Sequence, residues 1–406
     1  MFDYLVIGKG LFGASAARHL CQVSNNVAII GPDEPQDPAA HLGVYGAHYD
    51  EARLLHYLSE SQIWAELTQR TLDQLPSLEA TQQAPFHHPV GTLYVVDEAM
   101  SPDYIETATE IATQFAVEYQ QVDATTLSTY FPYLTVPAKS QIIWETAPSG
   151  YFNPRTFLQA QVTLAQNQGA QIIREIATRV RDKGDWLEVI TDQGATYATR
   201  KLLIAAGAFS NSFDLLQRNV DLRLKIEYVI MAGVSSEEAA RLHTMPTLIH
   251  DIDSPNLGDI YVVPPVRYPD GNYYLKLGAN TPADHYVETL DQICDWYRDG
   301  NSDVMLANLQ NALLTLIPDL QATSWHTRRC VITRTVHGFP YIDIVTPGKV
   351  YVAIGGNGRS AQAADAIGHL AAKLVSEDSW QDSINSHLFQ IRYADEALLW
   401  APRAWL

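Results

Sequence analysis

The sequence predicts an α/β protein: a discontinuous domain of Rossmann-like type drawn from both ends of the chain, with a second, mainly antiparallel domain between its segments. Three observations carry this. A glycine-rich turn joins an apolar strand to a helix within the first thirty residues. A similar strand, glycine turn and helix follow from Val350 onward. Between them lie alternating and apolar stretches typical of strands. A chain of 406 residues exceeds one simple core, so two domains or one large one are expected. The division read from the sequence is 1–85, 145–220 and 321–406 for the nucleotide domain, and 86–144 and 221–320 for the other.

The first unit is the most informative. Asp3 to Ile7 reads as a strand, Gly8-Lys-Gly10-Leu-Phe12-Gly13 as the turn, Ala14 to Leu20 as a helix and Val27 to Ile30 as the next strand. In this order the spacing is a dinucleotide fingerprint. Gly8 permits the tight turn, Gly10 leaves room for a pyrophosphate, and Gly13 lets helix and strand pack closely. Free N–H groups and the dipole at the helix start favour the phosphates. Phe12, inside the turn, is a further cofactor-binding candidate. The fingerprint usually has an acid at the end of the second strand; here Gly31 stands there, with Asp33 and Glu34 just beyond. Either acid reaches the ribose, or the main chain replaces them. The motif alone does not separate FAD from NAD.

Composition narrows the function class. A formal net charge of −19 opposes nucleic acid or anionic membrane as a partner, because phosphate binding needs a basic surface. Cys21, Cys294 and Cys330 are widely spaced and give neither a disulfide framework nor a metal pattern. No apolar run approaches the ~20 residues that span a bilayer. The first strand begins at residue 3, which leaves no room for a signal peptide, so a cytoplasmic protein is expected.

Along the chain, residues 31–52 read as a long functional connection. Asp50 to Leu75 carries helical spacing, as two helices ended by Pro76. Gly91 to Asp97 reads as a strand, Tyr104 to Phe115 as a helix, and a further helix starts near Pro154. Lys201 to Gly207 is an apolar strand ending in small residues, where a cofactor can approach the backbone. Leu222 to Val234 and Asp259 to Gly278 are strands, and 284–316 is largely helical. Cys330 to Ile344 and Val350 to Ile354 are strands, before the turn Gly355-Gly356-Asn357-Gly358 and a helix. The tail carries Trp400 and Trp405 and is expected to pack on the surface or close a groove.

The segment Cys330-Val-Ile-Thr333-Arg-Thr335-Val-His-Gly-Phe-Pro-Tyr341-Ile342-Asp343 resembles the flavin-attachment segment of the monomeric sarcosine oxidase group. That group includes N-methyltryptophan and pipecolate oxidases, within the D-amino-acid-oxidase-like flavoprotein superfamily. The resemblance covers nearly the whole chain and is strongest at its ends. It implies FAD, bonded in these relatives through the sulfur of Cys330. A thiolate is the reacting form, so a nearby positive charge from Arg328 or Arg329 would help. It also implies a role for Lys276 in Tyr274-Leu-Lys276-Leu-Gly278: a fixed ammonium near the flavin stabilises charge developing on dioxygen. Tyr261 is a candidate for lining the substrate cavity. The turn at 356–358 would present N–H groups to the flavin, Gly207 and Ala177 would meet the cofactor through the main chain, and Gln362 stands at a cofactor-facing position.

The sequence departs from that group where its substrate carboxylate is held. The loop Ala40-His41-Leu-Gly-Val-Tyr-Gly-Ala-His48 has no arginine before Arg53, Gln362 replaces a lysine, and Asn280 replaces a histidine. Arg359, Arg267 or His41 are left to bind a carboxylate, and His41 and His48 to hydrogen-bond flavin or substrate; His48 is also taken as a catalytic candidate. No metal site is expected. The resemblance implies a monomer or small oligomer that oxidises a small amine or amino acid. A hydride passes to the flavin, the imine hydrolyses, and O2 becomes H2O2, with no strong general base if the amine enters unprotonated. A dehydrogenase of an amine or 2-hydroxy acid with another acceptor, and a non-catalytic flavin-binding subunit, are the alternatives.

Overall fold

The computed structural model describes the chain except residues 38–39, 42, 60, 97–102, 253, 283–284 and 397–406. The tail tryptophans and Asp97 lie outside the described residues. Two large sheets organise the rest.

The first sheet runs in the order Ala177–Asp182, Leu187–Thr191, Thr196–Ile204, Phe2–Ile7, Val27–Ile30, Gln171–Ile173. Its centre is parallel: Phe2–Ile7 lies between Thr196–Ile204 and Val27–Ile30. Val350–Ile354 joins parallel to the end of Thr196–Ile204, with Tyr341–Thr346 antiparallel beside it. These strands are buried on both faces, as continuous apolar runs such as VAII and VYVAI require. Helices Leu11–Leu20, Pro154–Asn167 and Ala364–Glu377 cover one face. Asn153 caps the second of these by accepting from Thr156 N at 3.0 Å, and Pro154 suits its first turn.

The second sheet is antiparallel apart from one parallel pair, Thr92–Val96 with Thr247–Asp251. Its order is Tyr286–Val287, Leu222–Val234, Tyr273–Asn280, Asp259–Arg267, Thr247–Asp251, Thr92–Val96, Gln141–Glu145, Tyr119–Val122. Ala322–Thr335 pairs along the whole of Leu222–Val234. Residues 322–335, grouped above with the nucleotide segments, therefore lie in this sheet, and the chain reaches the first sheet only at Tyr341.

Two local expectations are corrected. Leu54 and Leu55 belong to the strand Arg53–Leu55, paired with Gly150–Phe152, and helix begins only at Gln62. Leucines spaced by three and four mimic a helical stripe when a strand and a helix are both buried on one side. Pro76 ends no helix; it occupies the first turn of the short helix Leu75–Glu79, where its missing N–H costs nothing. The strands Tyr119–Val122, Gln141–Glu145 and Thr247–Asp251 were not anticipated.

Beneath the glycine turn, a buried polar cluster ties the three helices. Asp365, 1% exposed, accepts from Arg18 Nη2 and Gln161 Nε2, both at 2.7 Å, and lies 3.3 Å from His19 Nε2. Burial alone would raise its pKa, but the bonds and charge from His19 and Arg18 win and bring it down to about 2. A depressed carboxylate stabilises the fold above its unfolded pKa and loses that contribution as pH falls towards the folded one. We expect Asp365→Asn to cost about 3 kcal/mol at pH 7, since it leaves Arg18 buried without its counter-charge. Urea unfolding should show the gap between wild type and variant shrinking between about pH 4 and pH 2; a gap independent of pH would contradict the assignment.

Candidate active site

A cavity of about 860 Å³ lies between the two sheets, with walls from Gly8 at one end to Cys330 and Gly355–Gln362 at the other. At the first end the backbone approaches itself too closely for any side chain. A Cβ on Gly8, whose φ is +106°, would stand 2.2 Å from Ala205 O, and one on Gly13 would stand 1.8 Å from Gly8 O. Gly10 caps helix Leu11–Leu20 with no side-chain hydrogen bond and no acid in the first turn, so its N–H groups face the cavity ready for an anion. Phe12, Ala177 and Gly207 also line the wall; Gly13 serves packing instead.

The acids sort themselves. Asp33 is drawn onto Lys9 and Arg174 and is 59% exposed on its side chain, outside the cavity lining. Glu34 lines the wall, held by Arg155 at 2.6 and 2.7 Å. An acid at position 31 is excluded because a Cβ there would lie 2.6 Å from Lys9 N.

The other end is built by one face of the antiparallel sheet, because residues in register share a face. Glu227 stands opposite Cys330 and Asn280 opposite Asp259; the next row reads Arg328, Val229, Gly278, Tyr261, and the next His326, Met231, Lys276, Val263. Gly278 makes the second row possible: its absent Cβ would meet the Tyr261 ring at 2.2 Å. Tyr261 thus lies across the sheet, 5.7 Å from Lys276 Nζ, and lines the cavity.

Lys276 is 2% exposed and is not among the lining residues. Its ammonium donates to Ala52 O and to Asp50 Oδ2 at 2.8 Å. Burial, then Arg53 and Arg328, pull its pKa well below the ordinary lysine value, and Cys330 acts the other way. Asp50 is the hub: it also pairs with Arg53, accepts from Tyr268 Oη at 2.6 Å, and lies 3.6 Å from Arg328 Nη1.

Cys330 lines the cavity as a free thiol. Burial raises its pKa, as does Glu227, while Arg53 and Lys276 act the other way. Alternation along the strand puts only one of the two preceding arginines on the thiol's side. Arg329 points to the opposite side and binds the carbonyls of Tyr297, Arg298 and Gly300 at the end of helix Leu290–Asp299, whereas Arg328 lies on the thiol's own face.

The turn at 355–358 is tied to that strand: Asn357 N donates to Thr333 O and Asn357 Oδ1 accepts from Thr335 N, both at 2.9 Å. Gly356, Asn357, Gly358 and Gln362 all line the cavity, and Gln362 Oε1 accepts from His56 N at 3.1 Å. His48 lines it too, and burial, with Arg155, Lys9 and Arg53 nearby, lowers its pKa to about 3, so it is neutral. His41 is outside the lining, turned onto Val44 O at 3.0 Å. Arg359 faces the cavity, but Arg267 sits on a hairpin, 3.4 Å from Gly271 O.

Sequence reasoning missed four lining residues. Lys225 donates to Glu227 Oε2 at 2.7 Å and to Asn280 Oδ1, all buried. Two alternate charges in the apolar run Leu222–Val234 were the available signal. Asp50 and His56 gave none. Among the described residues no cluster of metal-ligating side chains occurs, and no helix is long and apolar enough to cross a membrane.

Residues 3–374 match the model of the FAD dependent oxidoreductase family. The chain belongs to that family. Its residues fit FAD: the glycine turn and open helix start suit a pyrophosphate, and the cavity continues to Cys330. Among curated relatives, N-methyl-L-tryptophan oxidase of Salmonella typhi is 24% identical over 214 residues, covering 51% of this chain and 54% of that protein. The same enzyme of Yersinia pestis is 22% identical over 213 residues, with the same coverage. The chain spans about half the length of these curated relatives. Solved structures share the fold across nearly its whole length. A tyrosine-to-phenylalanine mutant of NikD, an unusual amino acid oxidase, matches at TM-score 0.77 and 18% identity over 97% of this chain and 98% of that one. The L-proline dehydrogenase of P. horikoshii matches at 0.71 and 14% over 96% of each. Fructosyl amine:oxygen oxidoreductase of Aspergillus fumigatus matches at 0.70 and 17%, over 95% and 89%.

Proposed function

We propose that this family member is an FAD-dependent oxidase of a small amine or amino acid, with the flavin bonded at Cys330. The observation that carries the reading is the continuous cavity from Gly8 to Cys330, whose far wall combines a thiol, buried charges and Tyr261. The relatives named as oxidases of N-methyl-L-tryptophan and fructosyl amines, and NikD, support the amine class. The division into an FAD-binding and a substrate-binding domain follows the two sheets, with 322–335 assigned to the latter.

Gly8, Gly10, Phe12 and Glu34 would hold the dinucleotide, with Ala177 and Gly207 beside them; Cys330 and the 356–358 turn would hold the ring. FAD, when bound, would supply the acceptor for the hydride, with its two electrons, lost from the carbon next to nitrogen. The protein orients the amine against Tyr261, keeps water out of a largely buried wall, and sets the local charge. Lys276, fixed by Asp50 and Ala52 O, places an ammonium behind Tyr261, where it would lower the energy of charge developing on dioxygen. A dehydrogenase is the second reading. Its support is that Lys276 is bound to Asp50 and absent from the lining.

For an oxidase, anaerobic amine bleaches the flavin, and air restores it with one H2O2 per amine consumed. Lys276→Met should slow reoxidation by O2 about 10²-fold while leaving reduction by amine nearly unchanged; a normal reoxidation rate would remove that role from Lys276.

Acid precipitation should carry the yellow colour down with the wild-type protein and leave it in the supernatant with Cys330→Ser. Colour in the supernatant of the wild type would defeat the linkage.

A further inference from the structure

The wall opposite the glycine turn holds a carboxylate that the redox step does not require. Glu227 is 5% exposed, lines the cavity, and stands in register with Cys330. Burying a charge is costly unless it is paired and hydrogen-bonded, and the site provides for this: Lys225 Nζ donates to Glu227 Oε2 at 2.7 Å and to Asn280 Oδ1. Two lysines on this face are each matched by one acid, Lys225 by Glu227 and Lys276 by Asp50. The acids differ in their surroundings. Asp50 is enclosed by Lys276, Arg53, Tyr268 and Arg328. Glu227 pairs with Lys225 and lines the cavity beside a thiol and Tyr261, both of which feel its charge. A cation arriving in the cavity is therefore met at Glu227.

An amine needs such a group. A simple alkylamine with a pKa near 10 is neutral in only about one molecule in 10³ at pH 7. The nitrogen lone pair must be free before the adjacent C–H bond can give up a hydride. A site that admits only the neutral form works on that small fraction, whereas a site that binds the ammonium and removes its proton works on nearly all of it.

We propose that Glu227 is a catalytic residue that binds the protonated amine of the substrate and accepts its proton, with Lys225 and Asn280 as the residues that position it. The step balances without a redox partner: the N–H bond breaks, an O–H bond forms on the Glu227 carboxylate, and the amine keeps its electron pair. The substrate class is a primary or secondary amine that enters as a cation. This rests on the amine-oxidising reading above.

The charged and titratable groups around Glu227 among the described residues include Lys225 on its own strand, Cys330 and Arg328 on the strand at one side, Lys276 on the strand at the other, Tyr261 and Asp259 one strand further, and Arg53 from the strand Arg53–Leu55. The pH dependence of the wild type belongs to this group, and the contrast with a charge-removing variant isolates Glu227 within it.

The test uses the flavin-loaded enzyme and Glu227→Gln, with Glu227→Asp as the conservative variant. For wild type, kcat/KM for amine reduction is expected to reach its plateau below the substrate's own pKa. For an amine of pKa near 10, Glu227→Gln should lose about 10³-fold at pH 7 and rise tenfold per pH unit up to the substrate pKa, where it approaches wild type. Glu227→Asp should restore the plateau in part. Titration calorimetry with tetramethylammonium, a cation with no proton to give, should show at least tenfold weaker binding to Glu227→Gln, at unchanged flavin content and melting temperature. Equal tetramethylammonium affinity together with an unchanged pH profile would overturn the proposal. If no amine reduces the wild-type flavin, the amine-oxidising reading fails, and the calorimetry still decides whether Glu227 is a cation site. If Glu227→Gln does not fold, a lowered and shifted plateau in Glu227→Asp is the deciding result, and a profile identical to wild type there overturns the proposal.

Discussion

The cavity has two walls because one carboxylate joins them. Asp50 sits on the connection that leaves the nucleotide sheet; its partners Lys276 and Arg328 belong to the antiparallel sheet, and Tyr268 to the turn between two of its strands. Arg53, at the start of the strand Arg53–Leu55, pairs with the same group. Breaking a buried ion pair on one side typically costs 3–5 kcal/mol because the other charge is left behind, so the loop is held against the sheet firmly. The rest of the site depends on that. Arg53 begins the strand that leads to His56, which is bound in turn by Gln362 at the start of the C-terminal segment.

Charge on the far wall is distributed rather than concentrated. The face that carries Cys330 holds two lysines, each neutralised by an acid at hydrogen-bond distance, and one arginine beside the thiol's row. Low exposure makes each interaction strong, and pairing keeps the total cost bearable. The opposite end has a different design: there the anion is met by open N–H groups of a helix start, with little side-chain charge involved. One ligand with an anionic middle and a neutral ring fits both ends.

Much of this was legible in the sequence. The glycine spacing and its strand–helix setting determined the nucleotide end, because Gly8 and Gly13 stand where backbone meets backbone and no other residue can. The strands Leu222–Val234 and Val350–Ile354 and the helix Tyr104–Phe115 were readable from apolar runs or periodicity with clear ends. What was not legible depended on register. Nothing in Tyr-Asp-Glu-Ala-Arg says that Asp50 meets a lysine 226 residues later. The pairing of Lys225 and Glu227 was visible as two charges on one strand face, but their position opposite Cys330 appears only once Ala322–Thr335 is aligned with Leu222–Val234. The helical reading of residues 54–58 failed for a related reason: burial produced the leucine spacing, and the strand partner Gly150–Phe152 lies far along the chain.

The central claim is that the Asp50–Lys276 pair joins the cavity's two walls. A double-mutant cycle of Asp50→Asn and Lys276→Met, read by urea unfolding of the flavin-loaded protein, measures it most directly. The account predicts that each single variant is destabilised and that the double variant falls short of their sum by about 2 kcal/mol or more, in the range of directly contacting residues. Costs that add to within about 0.5 kcal/mol, as for independent sites, would contradict it.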